Sequence, residues 1–377
     1  MKIKSVFRRV TLLVFLCISF AKAMGQEIKQ QNYKVISTPF TNAVSIAAND
    51  THLVAVTSDE KTYRSTDGIT WDQVAKTQST PANITEHANS IYGVSNQGLV
   101  KLKDEKWESL LPASGSLRSQ GGLLYNFHTQ NEELFVRRSI DGVTWESLPS
   151  YPNFKDDVGN LYDLAAYGDN IVVTGHSGRF IRTLDDGTWQ IQNVGVGDRL
   201  YSAVFYHNTL IFGGTTGDIH ISNDFETFTQ IQNQPSIRAL TSYGGIIIGA
   251  GGFNTDRGKI IYSKNTLEWV ILEGTPISSI KQIAVLKEKI YFLGITSDIS
   301  SLAVAEYKKP NISVELTDDE IVINAPRQGE AFYSLQSSTN LTNWDIVEEF
   351  TRQDDEGNTT WSVPKRQSEE FFRVEIK

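Results

Sequence analysis

Three arginines stand at positions that a repeated unit would bring together. Arg199 ends the segment Asn193-Val-Gly-Val-Gly-Asp-Arg199 and is followed by Tyr201. Arg238 occupies the corresponding segment one unit later, and Arg179 follows the turn Gly175-His-Ser-Gly178. A guanidinium offers a planar fork of donors that matches a carboxylate or sulfate, so Arg179, Arg199, Tyr201 and Arg238 are the candidate ligand-binding residues. The competing reading pairs each arginine with a nearby acid such as Asp163, Asp198 or Asp218. Glu86, His87, Arg118, Asp156 and Asp157 are expected on connections at the same end of the molecule, with Asp59, Glu60, His176, Asp218, Asp256 and Arg257 on neighbouring turns. Two carboxylates across a cleft suffice for glycoside hydrolysis, and Asp156, Asp157 and Asp163 are the nearest approach to such a set. No Ser-His-Asp phrase or phosphate loop is present, so no catalytic residue is assigned. His176 and His220 are too far apart to read as a local ligand pair, so neither a metal nor a cofactor is implied.

The elements that must position these residues are set by a repeat. Ser65-Thr-Asp67-Gly68-Ile-Thr-Trp71 returns as Ser139-Ile-Asp141-Gly142-Val-Thr-Trp145. Weaker copies are Thr183-Leu-Asp185-Asp186-Gly187-Thr-Trp189, Ser222-Asn-Asp224-Phe-Glu-Thr-Phe228 and Ser263-Lys-Asn265-Thr-Leu-Glu-Trp269. With Trp107 in a degenerate copy, the aromatic anchors fall at 71, 107, 145, 189, 228 and 269, a spacing of 36 to 44 residues. A period near 40 is that of a four-stranded propeller blade. Each unit reads as an inner strand, an apolar strand, a Gly-rich turn, a third strand, the Ser-x-Asp-Gly turn and an outer strand beginning at the aromatic.

Six anchors leave one blade incomplete. Tyr33-Lys-Val-Ile-Ser-Thr-Pro39 aligns with Trp269-Val-Ile-Leu-Glu-Gly-Thr-Pro276, so strand 33–38 is expected to complete the last blade and close the ring. The fold class is therefore all-β: a seven-bladed β-propeller over 33–307, followed at 311–377 by a small C-terminal β-sandwich-like domain of immunoglobulin type.

Residues 1–23 read as a signal peptide, with a basic start, an apolar run over 10–20 and Ala21-Lys-Ala23 as cleavage site. Residues 24–32 then form a polar tail. Cleavage removes the single cysteine and five basic residues, leaving 30 Lys and Arg against 44 Asp and Glu, a net charge of −14. Such a chain is a poor partner for nucleic acid, and no integral membrane segment remains after cleavage. The expected location is secreted, periplasmic or on the cell surface.

The phrases at 65–71 and 139–145 resemble the Asp-box, or bacterial neuraminidase repeat, shared by sialidases, sortilin-type propellers, some xyloglucanases and photosystem II assembly factors. The stretch 175–189 is most similar to the assembly-factor version. The segment Leu335 to Trp344, continuing to Phe371-Phe-Arg-Val374, resembles terminal modules of exported bacterial proteins. Sialidase membership would imply an arginine triad, a Tyr/Glu pair and an early Arg-Ile-Pro phrase. Here the early segment carries no such arginine, and Arg118, Arg199 and Arg238 follow the blade spacing instead.

The repeat residues have a structural role. Asp and Gly suit a tight hairpin, and the aromatics Trp71, Trp145 and Trp189 supply apolar area between sheets. One copy of Asp67, Asp141 or Asp185 per blade cannot build a single site. The sequence favours a non-catalytic binding propeller that recognises a glycan or protein, anionic in character, through its channel mouth. A carbohydrate-active enzyme, glycoside hydrolase or sialidase-like, is the alternative.

Overall fold

The structure, a computed structural model, describes residues 34–74, 80–195, 197–206, 208–243, 245–252, 258–272, 277, 279–296 and 299–306. Beyond these it describes 313–316, 320–325, 333–338, 345–346, 351–353, 359–364 and 371–376. The signal and tail segments, Tyr33, Asp256, Arg257 and the 308–310 boundary lie outside the described residues.

Seven antiparallel four-stranded sheets form the blades. Blade 1 comprises Ala43–Ala48, Leu53–Thr57, Thr62–Ser65 and Asp72–Val74, and blade 2 Asn83–His87, Ser90–Ser95, Gly98–Lys103 and Lys106–Leu111. Blade 3 comprises Ser116–Gln120, Leu123–Gln130, Glu133–Ser139 and Glu146–Ser147, and blade 4 Leu164–Tyr167, Asn170–Thr174, Arg179–Thr183 and Trp189–Asn193. Blade 5 comprises Leu200–Tyr206, Thr209–Gly214, Ile219–Ser222 and Thr229–Ile231, and blade 6 Ile237–Tyr243, Ile246–Gly251, Lys259–Ser263 and Trp269–Leu272. Blade 7 comprises Ser279–Leu286, Lys289–Thr296 and Ile299–Glu306, with Lys34–Ile36 as its fourth strand. That strand pairs antiparallel with the third strand, Lys34 opposite Val304 and Ile36 opposite Leu302.

The first strands of successive blades touch around the whole ring, blade 7 meeting blade 1. Second strands are covered on both faces and read as continuous apolar runs: Leu53–Thr57 and Ile246–Gly251 are buried at every position. Outer strands such as Glu146–Ser147 are exposed. The core lies between blades. Ala47, Val54 and Val56 pack on Ile84, Ile91, Val100 and Trp107, and Phe180 of blade 4 meets Phe212 of blade 5 at 4.9 Å.

Each Ser-x-Asp-Gly turn is a closed hydrogen-bond unit. Asp67 Oδ1 accepts from the amides of Ile69 (2.7 Å) and Thr70 (2.8 Å). The Ser65 hydroxyl accepts from Gly68 N, and Trp71 Nε1 donates to Gly68 O. Asp141 repeats this with Val143, Thr144, Ser139 and Trp145. Both turns are braced by a tyrosine of the preceding blade: Tyr291 donates to Asp67 O and Tyr92 to Asp141 O. A Cβ at Gly68 or Gly142 would come within 2.3 or 2.5 Å of that ring, at φ +77 and +74, so glycine is required there. In blade 4 the roles shift by one residue. Asp186, not Asp185, accepts from Thr188 N and Oγ1, because the Asp-Gly pair stands one residue later in a phrase of unchanged length, Thr183 to Trp189, and Trp189 Nε1 bonds to Pro149 O.

The second unit of the chain holds two sheets. Ser313–Leu316, Glu320–Ala325, Thr359–Pro364 and Thr351–Gln353 form one, and Asp345–Ile346, Tyr333–Ser338 and Phe371–Ile376 form the other. Trp361 is buried.

Candidate functional site

Successive strands of a blade alternate in direction. The crossings between blades and the second-to-third turns therefore share one face, the channel mouth, and the Ser-x-Asp-Gly turns share the other with the first-to-second turns. Glu86 and His87 belong to the second group. They end the first strand of blade 2, and His87 lies buried with its Nε2 at 2.9 Å from Ile140 O in the aspartate turn of blade 3. Their expected place on the mouth is corrected accordingly. Arg118 likewise sits within the first strand of blade 3 and not on a crossing.

Four first strands carry an extra residue at one register position near the mouth. The pairing skips between Ala43 and Ser45, Leu200 and Ser202, Ile237 and Ala239, and Ile280 and Gln282. The bulged residues are Val44, Tyr201, Arg238 and Lys281. A bulge bends its strand and re-aims a side chain, and all four residues line the central channel. That cavity measures about 530 Å³ and is bounded by the first strands of six blades and by Tyr162 and Asp163 just before the first strand of blade 4.

Tyr201 is the centre of the group. The Arg238 guanidinium lies over its ring at 5.1 Å, and Tyr162 meets it edge-on at 4.8 Å. Arg199 Nη1 reaches its hydroxyl at 3.5 Å. Tyr162 in turn lies 2.6 Å from His176 Nε2. Burial lowers the His176 pKa and the Arg199 charge lowers it further, so this imidazole is neutral at neutral pH. Burial also pushes the Lys281 amine down, although its Nζ donates to Ala43 O at 3.1 Å. The sequence candidates Arg199, Tyr201 and Arg238 are thus brought together. Arg179 is not part of the contact set: its Nη1 donates to Asp157 O at 2.8 Å.

A buried acid holds this crossing in place. Asp198 is fully buried and accepts from the amides of Arg199, Thr215 and Thr216 and from the Thr216 hydroxyl. Its Oδ2 occupies the space where a side chain at Gly214 would begin, at 1.9 Å from the ideal Cβ. Asp163 is similarly committed. It accepts from Leu164 N, Ser202 Oγ and Ala203 N and lies 3.6 Å from Arg118 Nη2. Asp157 Oδ2 accepts from the Tyr151 hydroxyl. Two acids of the expected hydrolytic set, Asp157 and Asp163, therefore serve as structural acceptors, while Asp156 is exposed.

Asp163 belongs to a series. In or just before the first strand, a polar side chain accepts from an amide of the following blade: Ser45 from Ile84 N, Asn83 from Leu117 N, Asp163 from Ala203 N, Ser202 from Leu240 N and Gln282 from Ile46 N. These bonds satisfy channel-side donors that no strand pairs with. Lower in the channel Arg118 of blade 3 reaches across the bore, donating to Leu240 O of blade 6 at 3.1 Å, with Ala203 O of blade 5 at 3.4 Å.

Sequence reasoning missed Lys281, Tyr162 and the span of Arg118. A signal for Lys281 exists: Ser279-Ile280-Lys281 parallels Ser236-Ile237-Arg238. Among the described residues there is no cluster of three or more His, Cys, Asp or Glu able to hold a metal, and no helix is long and apolar enough to cross a membrane.

No protein-family model matches the chain, and no curated protein matches it significantly. Solved structures do. A chain of the mitotic checkpoint complex aligns with TM-score 0.57 at 11% identity, over 75% of this chain and 98% of that one. The WD40 β-propeller domain of Doa1 aligns with TM-score 0.56 at 11% identity, over 72% and 96%. The computationally designed Ika8 protein aligns with TM-score 0.50 at 13% identity, over 87% and 99%. At these identities the likeness is one of fold, and it is the propeller fold.

Proposed function

We propose that this chain is an exported, non-catalytic binding propeller of the Asp-box kind, which holds an anionic glycan or protein at its channel mouth. The observation that carries the reading is the group built on Tyr201, with Arg238 over its face and Arg199 at its hydroxyl. In a chain of formal net charge −9, two cations held on one half-buried ring at the opening of a 530 Å³ channel reverse the local sign. Among the described residues no carboxylate lies within 4 Å of Arg199. Hydrolysis is the weaker reading, since Asp163 and Asp157 are engaged as acceptors. The C-terminal strands would form a sandwich-like module for attachment or export.

The test is binding of acidic oligosaccharides and acidic peptides at low and high salt. Arg199→Ala with Arg238→Ala is expected to weaken binding at least tenfold at low salt, whereas Arg179→Ala leaves it nearly unchanged. Equal binding by the double variant would sink the proposal.

A further inference from the structure

Resting on that reading, we infer that the mouth takes the terminal residue of a carboxylated glycan, a sugar chain end, and not the middle of a chain or a peptide segment. Three features lead there: the cations of the rim, the polarity of the wall and the closure of the bore.

The rim is wider than the tyrosine group. Lys281 occupies the same bulged position in blade 7 that Arg238 occupies in blade 6 and Tyr201 in blade 5. Three adjacent blades thus offer an aromatic ring and two cations in one row, with Arg199 beside the ring. Such a row suits a single carboxylate bound to a compact, ring-shaped body. Below it the wall is polar and uncharged where Thr85, Ser116 and Thr241 reach the cavity. Hydroxyl groups match a polyhydroxylated ligand, and they stand among apolar lining residues such as Leu117, Val204 and Leu240.

Arg118 sets the depth. Its guanidinium joins blade 3 to carbonyls on blades 5 and 6, and blades 3 and 6 are as far apart as a ring of seven allows. The carbonyls it contacts, on Ala203 and Leu240, lie two residues below Tyr201 and Arg238, about 7 Å at ~3.3 Å per strand residue. A chain entering at the rim therefore meets a bar after roughly one sugar ring and cannot thread through.

A peptide fits less well. The amides of Ile46, Ile84, Leu117, Ala203 and Leu240, along the inner strands below the rim, are already accepted by side chains and are closed to an extended segment. A helix about 10 Å across would fill a cavity of 530 Å³ with a single turn.

Calorimetry with the full chain decides the matter, using four probes. These are a trisaccharide of uronic acid, its methyl ester, a trisaccharide with internal uronates but a neutral terminal hexose, and hexaglutamate. The expected result is that the first probe binds at least tenfold more tightly than the other three. Arg238→Gln with Lys281→Gln should reduce that binding at least tenfold, while Arg238→Lys with Lys281→Arg retains it. A thermal melt verifies that both double variants are folded, and the charge-retaining pair carries the comparison if the Gln pair is not. Equal binding of the first and third probes would overturn the chain-end inference. Rim-dependent binding of hexaglutamate alone would overturn the sugar and leave the mouth reading standing. If no anion binds, both fall.

Discussion

At one end of blades 1 and 3, Asp67 and Asp141 make the same bonds to the same turn atoms, each braced by a tyrosine from the blade before. At the other end, Val44, Tyr201, Arg238 and Lys281 share one register position, filled by an aliphatic residue, an aromatic ring and two cations. The first end repeats because these blades need the same hairpin. The second diverges because no repeated requirement of the fold constrains it. In a propeller, repetition marks what holds a blade together, and departure from repetition marks where a ligand can be addressed.

That contrast can be broken from the mouth side. Asp163 lies at the mouth end yet is committed to three donors and the nearby Arg118. Asp163→Ala is expected to destabilise the fold by about 3 kcal/mol in urea unfolding, because buried donors lose their acceptor. A loss below about 1 kcal/mol would show that mouth-end acids are not structural. From the turn side, Gly142→Val meets both a φ of +74 and the Tyr92 ring. It should cost about 2 kcal/mol or more while leaving ligand affinity unchanged once the variant is folded. Altered affinity would mean that the two ends communicate.

Acid sharpens the contrast with the smallest effect. His220 is buried at the mouth end of a third strand, and burial lowers its pKa below the ordinary 6.5. The folded state thus binds fewer protons than the unfolded chain, and its stability falls as pH drops below 6.5. Asp67 is held at about 2, first by the Ile69 amide, below the ordinary 3.8. Its contribution is complete above 3.8 and disappears as pH falls through 2. Melting temperature against pH should therefore decline in two stages, and His220→Leu should weaken only the upper one, to which His52, His128 and His176, also lowered by burial, contribute. A single stage near pH 4 in the unmodified protein would contradict this.

The blades were legible because an aromatic must follow each tight turn, so Trp71, Trp145 and Trp269 declare the period. Arg199, Tyr201 and Arg238 were legible as a group because equivalent crossings lie side by side. Lys281 was not, since its blade ends without an anchor and is completed by residues 34–36. Arg179 was grouped with them from its place after a mouth-side turn, and the structure shows its guanidinium bonded to Asp157 O instead of Tyr201. Asp185 was preferred to Asp186 because it aligns with Asp67 in a phrase of equal length, whereas the Asp-Gly pair that makes the turn stands one residue later. The span of Arg118 depends on distances across the bore, which no local pattern encodes.

The side-chain bonds between first strands also bear on synthesis. Within the series running from blade 1 to blade 6, each acceptor precedes its donor in the chain, so a blade leaving the ribosome finds its partner already made. Blade 1 is the exception. The Ile46 amide waits for Gln282, 236 residues later, and Lys34 waits for Val304. The first part of the propeller to be translated is the last to be sealed, and until then its inner edge and its closing strand are the exposed surfaces of the nascent ring.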